Sequence, residues 1–595
     1  MTQLTGGELV ARMLRAEGVE VVFGIIDGTY FGFYSQLRAN GITLIGPRHE
    51  ASALHMAGAY ARSTGRLGVA MASNGPGVAN AISGVAVEQG EGNRVLLITS
   101  ARRTGISYPE RGGTFQYFDQ VGVISPMSKS SQAVASMDRI GEMMRRAFRE
   151  SWSGRPGVVH VDIPENLMNS KPSLMETEVR PPHTYRRTTP VAADPEQVRR
   201  AAGMLHAATR PLLHAGSGVI HAGASAELLA VAEHLGAPVV TSWGGRGSIV
   251  ETHPLSVPMS ALDLVAQMRN EADVALVLGS RIGETDWWGK SPYWAPPGGL
   301  KTIQVDVDDR TLGGTRPVDM AVMADVKVFL RDLLVVLASL PPQRKQPDSW
   351  SAGKRENAEK WAHYGDRSGV PTSVAAASTR GVYDAARGVH PRDVPRIAQE
   401  VMPADAVWCF DGGNAAVWSH FYHTAQTPNS VITTFKFGML GAGVGQALGL
   451  AVAHPGRRVC ALIGDGAMGF HSQEVETAVR NRLPVIYVVF NDKQWGMVKM
   501  NQQFALHPVK TLVKKALPEE ETINADLGPI AWDDLARSMG AHGEHVTVVA
   551  ELAPAIERAL DSGLPAVVQV DVDPVMHMWA PALRAFKDMH GEPKG

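Results

Sequence analysis

Cysteine is nearly missing from this chain: 595 residues hold two, Cys409 and Cys460. A disulfide framework is thereby excluded, and both thiols lie in apolar runs (AVWCF and RVCALI) where a small buried side chain is expected. Net charge is missing as well. Lys and Arg total 57 against 59 Asp and Glu, so no basic field draws the protein to nucleic acid or to an anionic membrane, and a small-molecule role is expected instead. A membrane-length apolar run is also lacking: the uncharged stretch FGMLGAGVGQALGLAVA at 437 to 453 is broken by glycine and short for a span. The N-terminal LTGGELVARMLRAEGVEVVFG carries Glu8, Arg12, Arg15 and Glu17 through its apolar pattern, which reads as an amphipathic helix and not as a secretory signal. A soluble, cytoplasmic protein is expected. Complete nucleotide fingerprints are the last absence. GAGVGQ at 441 to 446 and GSGVIH at 216 to 221 lack the third glycine of G-x-G-x-x-G, and no phosphate-binding G-x-x-x-x-G-K-[ST] occurs, which demotes dehydrogenases and NTPases.

What is present is alternation. Strand-like runs (VEVVFG, LGVAMAS, RVLLITS, GVVHVDIP; APVVTSW, VALVLGS, KTIQVDV; RVCALIG, LPVIYVVF, PAVVQVDV) alternate with helical patterns along the chain. Such alternation predicts an α/β fold with mainly parallel sheets flanked by helices. The length is too great for one core and suggests about three or four domains at roughly 150 residues each. Two proline-rich, charged stretches, at 169 to 197 and 339 to 373, interrupt the pattern. They divide the chain into three domains at 1–185, 190–340 and 375–575, with a C-terminal tail at 576–595.

Chemistry concentrates in GDGAMGFHSQEVETAVRNRLPVIYVVFND at 464 to 492. Asp465 follows one strand and Asp492 the next, with the helix FHSQEVETAVRN predicted between them. In an open parallel sheet, neighbouring strand ends face one crevice. Two hard carboxylates at its edge suit Mg²⁺ or Ca²⁺, and the backbone N–H groups of Ala467 and Met468 suit a phosphate. Together they describe a metal-bound diphosphate.

The spacing of 27 positions from Asp465 to Asp492 resembles the diphosphate-binding motif of thiamine diphosphate (ThDP) enzymes. There GDG is followed by a second side-chain ligand at that distance and a main-chain carbonyl two residues on, here Gln494. The family usually has Asn at the second position, although acetolactate synthases of the catabolic type can carry Asp there; this chain has Asn491 one residue early, so either Asn491 or Asp492 is the ligand. Further segments resemble the acetolactate synthase-like branch of this superfamily: FGIIDG at 23 to 28, RHEASALHMAGAYAR at 48 to 62, SNGPGVANAISG at 73 to 84, GGTFQYFDQVGVISPMSK at 112 to 129, DGGNAAVW at 411 to 418 and FGMLGAG at 437 to 443. The likeness covers essentially the whole chain. It implies three domains that bind the pyrimidine, form a Rossmann-like centre and bind the diphosphate, in that order.

The resemblance assigns roles residue by residue. Glu50 fits the carboxyl at the pyrimidine N1′, where a raised pKa would help it share a proton. Leu440 is placed under the bend of the cofactor, with the Gly438 and Leu440 carbonyls facing the pyrimidine. Asn414, Gly464, Asp465, Gly466, Ala467, Met468, Asp492, Gln494, Trp495, Gly496 and Met497 line the rest of the cofactor site, with Asp465, Asp492 and Gln494 on Mg²⁺. Gln116 faces the substrate side as a second catalytic residue, beside Phe115. Asp27 either contacts substrate or caps the next turn, and Gly28 adjoins it.

The function implied is a ThDP- and Mg²⁺-dependent carboligase or decarboxylase acting on a small 2-oxo acid through a C2 ylide and an enamine, as a homodimer or homotetramer with inter-subunit sites. The histidine pair of pyruvate-decarboxylase-like enzymes does not follow Gly112 and Gly113, which disfavours simple aldehyde release. The tryptophan by which biosynthetic acetolactate synthases select 2-ketobutyrate aligns with Asn501, and QWGMVKMN at 494 to 501 is closer to sulfoacetaldehyde acetyltransferases. VPMSALD at 257 to 263 replaces the flavin-contacting segment, so FAD is not expected, and Asp306 or Asp308 in IQVDVDD is given a structural role. The alternatives are a 2-hydroxyacyl-CoA lyase or oxalyl-CoA decarboxylase-like enzyme, for which Arg246 and Arg281 are the basic residues near the middle domain; a sulfoacetaldehyde acetyltransferase-like enzyme; and a non-catalytic ThDP-binding regulatory protein. The tail, with its Trp and Phe, either packs or covers the site.

Overall fold

The structure is a computed structural model that describes residues 3–107, 110–341, 350 and 382–581. Most of the 339–373 stretch, the boundary at 375 and the tail from 582 onward, including Phe586, lie outside the described residues. Three six-stranded sheets carry the fold, and a short antiparallel ribbon joins Gln3–Leu4 to Leu174–Met175.

The first sheet runs, in space, Thr43–Ile45, Val21–Gly24, Gly68–Ala72, Val95–Ala101, Val158–Pro164, Ser130–Ala133. The third runs Val431–Thr433, Val407–Asp411, Val459–Gly464, Val485–Asn491, Ala566–Asp571, His542–Val546. Both have the same order, 2-1-3-4-6-5 in their own strand numbering, and every pairing in them is parallel. The middle sheet is parallel too, in the order 3-2-1-4-5-6 from Ser256–Val257 to Met320–Met323. In all three, the order reverses beside the first strand, which opens a crevice at the carboxyl edge.

Sequence explains the central strands directly. Val485–Asn491 (VIYVVFN) is buried at every position because helices cover both sheet faces, so an unbroken apolar run is required. The segment predicted as one helix, FHSQEVETAVRN, is instead two: Asp465–His471 and Glu474–Asn481, parted at Ser472 and Gln473. Asp465 therefore sits inside the first turn and not on a loop before it.

The domains share cores. Helix Glu50–Thr64 of the first domain packs on helix Ala442–Ala453 of the third, and the glycine-rich run at 442 to 453 is thus a buried inter-domain helix. Its glycines permit the approach: a Cβ at Gly449 would lie 2.3 Å from the Met56 carbonyl oxygen. Between the middle and third domains, Arg246 is buried and bonded to both oxygens of Glu251 (2.7 and 2.9 Å) and to the His420 carbonyl (2.9 Å). Arg246 is therefore a structural clamp and not a surface for a CoA phosphate. Cys409 and Cys460 are free and buried. Among the described residues no helix is long and apolar enough to cross a membrane.

Candidate active site

The crevice of the third sheet gathers three loops. Strand Val459–Gly464 delivers Asp465, whose Oδ1 accepts the Gly466 N–H (2.7 Å) and whose Oδ2 accepts the Lys493 N–H (2.8 Å). Strand Val485–Asn491 ends one residue before Asp492. Asn491 turns toward the neighbouring strand, donating from Nδ2 to Asp571 Oδ1 (2.6 Å). Asp492 faces Asp465 instead: burial, and then the Asp492 charge, hold the Asp465 carboxyl well above its ordinary range. Two buried carboxylates brought together repel one another until a cation or a proton intervenes. Their hard oxygens are the donor type that Mg²⁺ takes. Gln494 anchors its side chain on the Pro574 carbonyl (2.8 Å).

The second loop is Gly412, Gly413 and Asn414, at the end of strand Val407–Asp411. Gly412 has a φ of 102°, which only glycine adopts freely. Asn414 opens helix Asn414–Tyr422; it is buried, and neither its Nδ2 nor its Oδ1 finds a hydrogen-bond partner among the described residues. A buried amide left unbonded at both ends costs on the order of 1–3 kcal/mol per group. A Cβ on Gly496 would come within 3.0 Å of both Asn414 Nδ2 and Asp492 Oδ2. Bare polar atoms, paired acids and a glycine-walled gap fit a bound diphosphate with its cation.

The third loop carries Leu440. Gly438 (φ 72°) and Gly441 (φ 87°) turn the chain on either side of it. Gly443 N–H donates to Asp411 Oδ2 (2.7 Å), so this loop is tied to the strand end beside Asn414. Burial pushes Asp411 up to about 6. Leu440 is half-buried against the core shared by the first and third domains. Asp411 is visible in the sequence only as part of DGGNAAVW, where an acid before two glycines at a strand end is its signal.

In the first domain, Glu50 is the opening residue of helix Glu50–Thr64, capped by His49 Nδ1. Its carboxylate is buried, and Oε2 accepts from Asn80 Nδ2 (3.1 Å). A Cβ on Gly77 would lie 3.2 Å from Oε1, so the glycine leaves room for that oxygen. Gln116 has a positive φ of 52° and an exposed side chain; its carbonyl accepts from Asn74 (3.0 Å), and Phe115 beside it is 72% exposed. Asp27 caps the turn at Gly28–Tyr30, its Oδ1 accepting from Thr29 N (2.8 Å).

The Gln116 loop rests on a buried polar relay. Gln120 Oε1 accepts the Gly75 N–H (2.7 Å) while its Nε2 donates to Asp162 Oδ1 (2.8 Å). Burial pushes Asp162 up to about 7, against the downward pull of Thr99 and Gln120. The folded pKa exceeds the unfolded one, so the folded state binds more protons between about pH 4 and pH 7 and stability falls as pH rises across that window. Asp162→Asn is expected to flatten this fall. Denaturant midpoints of variant and parent at both ends of the window check it; parallel pH profiles would contradict it.

A separate cavity of about 1510 Å³ opens at the crevice of the middle sheet, with Arg94 and Arg155 from the first domain, Arg186 from the connection that follows it, Arg281 from the middle domain and Lys436 from the third on its wall. Asp306 borders it, whereas Asp308 is engaged by Arg310 (2.9 and 2.8 Å). Trp579, at the start of the tail, is packed inward and donates to the Lys515 carbonyl (2.9 Å).

Known proteins are similar to this chain over most of its length. Family models for the thiamine pyrophosphate enzyme N-terminal TPP binding domain, central domain and C-terminal TPP binding domain match residues 4–123, 198–333 and 411–570. A probable acetolactate synthase of Mycobacterium bovis is 30% identical over 96% of both chains. A probable acetolactate synthase large subunit of Methanocaldococcus jannaschii is 28% identical over 96% of this chain and 92% of its own. A sulfoacetaldehyde acetyltransferase of Alcaligenes xylosoxydans is 29% identical over 94% of this chain and 91% of its own.

Proposed function

The chain belongs to the thiamine pyrophosphate enzyme family, in its acetolactate synthase-like branch, and we propose that it is a ThDP- and Mg²⁺-dependent carboligase that takes a small 2-oxo acid such as pyruvate as acyl donor. The observation that carries the cofactor reading is the unbonded, buried amide of Asn414 beside the facing carboxylates of Asp465 and Asp492. ThDP, when bound, would supply a nucleophilic carbon and an electron sink for decarboxylation.

The protein's residues do the rest. Asp465, Asp492 and the Gln494 carbonyl would hold the cation, and Asn414 with the Ala467 and Met468 N–H groups would bind the diphosphate oxygens. Gly464, Gly466 and Gly496 let the backbone approach, with Trp495 and Met497 closing the wall. Leu440 would pack under the cofactor, the Gly438 carbonyl would accept from its pyrimidine, and Glu50 would exchange a proton with it. Phe115, Leu440 and Met497 give an apolar face with Gln116 as its polar handle, and Asp27 and Gly28 at its margin, which favours a small acyl group over a bulky one. FAD has no part in this reading.

Assembly is part of the proposal. Ile26, Phe31 and Phe115 are exposed around the first-domain crevice, and Val498, Leu506, Val509 and Val513 are exposed beside the third-domain site. Apolar side chains gathered at two such places suit burial against a second copy, in a homodimer or homotetramer whose sites lie between subunits. The two free cysteines are in keeping with a cytoplasmic setting.

The basic cavity favours one second reading, a 2-hydroxyacyl-CoA or oxalyl-CoA lyase, because its arginines offer charge for a nucleotide diphosphate. Product analysis after incubating holoenzyme with pyruvate decides. Acetolactate is expected. Acetaldehyde alone would contradict carboligation; inert pyruvate beside rapid cleavage of a 2-hydroxyacyl-CoA would move the assignment to the lyase, and consumption of sulfoacetaldehyde to the acetyltransferase. Loss of every activity with ThDP still bound would leave a regulatory protein.

A further inference from the structure

Asp492 stands where the resembled motif usually has asparagine, and the structure surrounds its second oxygen with donors. His577 Nδ1 lies 2.6 Å from Asp492 Oδ2, and Gln494 Nε2 lies 3.2 Å from the same oxygen. A carboxylate only accepts, so Nδ1 carries the proton of this bond. His577 is itself fixed. It belongs to helix Pro574–Met578, whose cap Asp573 accepts from the Val575 and Met576 N–H groups and is paired with Arg387 (2.8 Å). The ring stacks on Phe490 of the adjoining strand at 5.7 Å and 17°, and the His577 carbonyl accepts from Trp418 Nε1 (3.0 Å).

We propose that His577 is a positioning residue for the cation: its hydrogen bond to Oδ2 fixes the orientation of the Asp492 carboxylate, and this is what lets an aspartate serve at the position. Asparagine offers a metal one oxygen and directs its NH₂ elsewhere. Aspartate brings a second charged oxygen into a buried place, and that oxygen needs a donor or it competes for the cation in the wrong geometry. His577 and Gln494 supply the donors. The arrangement is the reverse of the common one in which a carboxylate orients a metal-binding histidine.

The inference rests on the reading that Asp465 and Asp492 hold Mg²⁺, and the test separates the two. Calorimetry measures the Mg²⁺ concentration that half-saturates ThDP binding in the wild type, His577→Phe and His577→Asn. Phe keeps a flat ring against Phe490 without the donor, whereas Asn keeps a donor near the place of Nδ1. His577→Phe is expected to raise the Mg²⁺ requirement about 10- to 100-fold, with ThDP affinity restored at saturating Mg²⁺, and His577→Asn to remain near the wild type. If all three proteins share one Mg²⁺ requirement, the role of His577 is overturned; if both variants are equally impaired, packing and not the hydrogen bond explains the effect, which also overturns it. Should His577→Phe fail to fold, His577→Leu replaces it in the comparison. A wild type that binds ThDP equally well without Mg²⁺ would overturn the metal site itself.

Discussion

Asp465→Ala is expected to lose ThDP affinity by more than about 100-fold in the presence of Mg²⁺, beyond the 10- to 100-fold that residues behind a metal ligand contribute. The size follows from three tasks carried by one side chain. Asp465 is a candidate ligand, its Oδ1 holds the Gly466 N–H, and its Oδ2 holds the Lys493 N–H that fixes the loop carrying Asp492. Alanine removes all three. On the proposed arrangement the diphosphate would then keep the backbone donors of Ala467 and Met468 and the amide of Asn414, but the cation that neutralises it would be left with Asp492 as its one carboxylate. Calorimetric titration with ThDP in excess Mg²⁺ measures the loss. Undiminished affinity would show that the cation, or the diphosphate, sits elsewhere.

Glu50→Gln is expected to bind ThDP with nearly unchanged affinity and to slow proton exchange at its C2 by about 10²- to 10⁴-fold, the range of general acid–base assistance. Glutamine has the shape of glutamate, so the contact with Asn80 and the space above Gly77 are preserved. What it cannot do is pass a proton. A carboxyl at the first position of a helix, buried and bonded among the described residues through Oε2 to Asn80, has Oε1 to offer to a ring nitrogen. Exchange followed by proton NMR on the quenched complex checks the outcome; near-normal exchange would remove Glu50 from the reaction.

The sequence displayed the central strands because burial on both sheet faces demands unbroken apolar runs such as VIYVVF and VLLIT. It hid the edge strands: His542–Val546 reads HGEHV and Ser130–Ala133 reads SSQA, polar enough to pass for loops, since an edge strand is only partly covered. Strand order was hidden too, because it depends on crossovers that leave no local pattern. Asp465 and Asp492 were legible as a spaced pair, but which of Asn491 and Asp492 meets Asp465 was not. That choice turns on strand parity at the exit of Val485–Asn491, where the pairing of Asn491 with Asp571 sends its side chain away. The break at Ser472 and Gln473 in the helical stretch between the two acids was hidden as well, because no glycine or proline marks it. His577 had no signal at all. It lies 85 residues from Asp492 and meets it only through the fold.

A cation held by Asp465 and Asp492 against a diphosphate is the centre of the proposed site, and its direct measurement is calorimetry of the wild-type protein with ThDP, before and after removal of divalent cations by chelation. Saturable binding with Mg²⁺, lost on chelation and restored by adding Mg²⁺ back, is the expected result. Binding of equal strength in both conditions, or none in either, would contradict it.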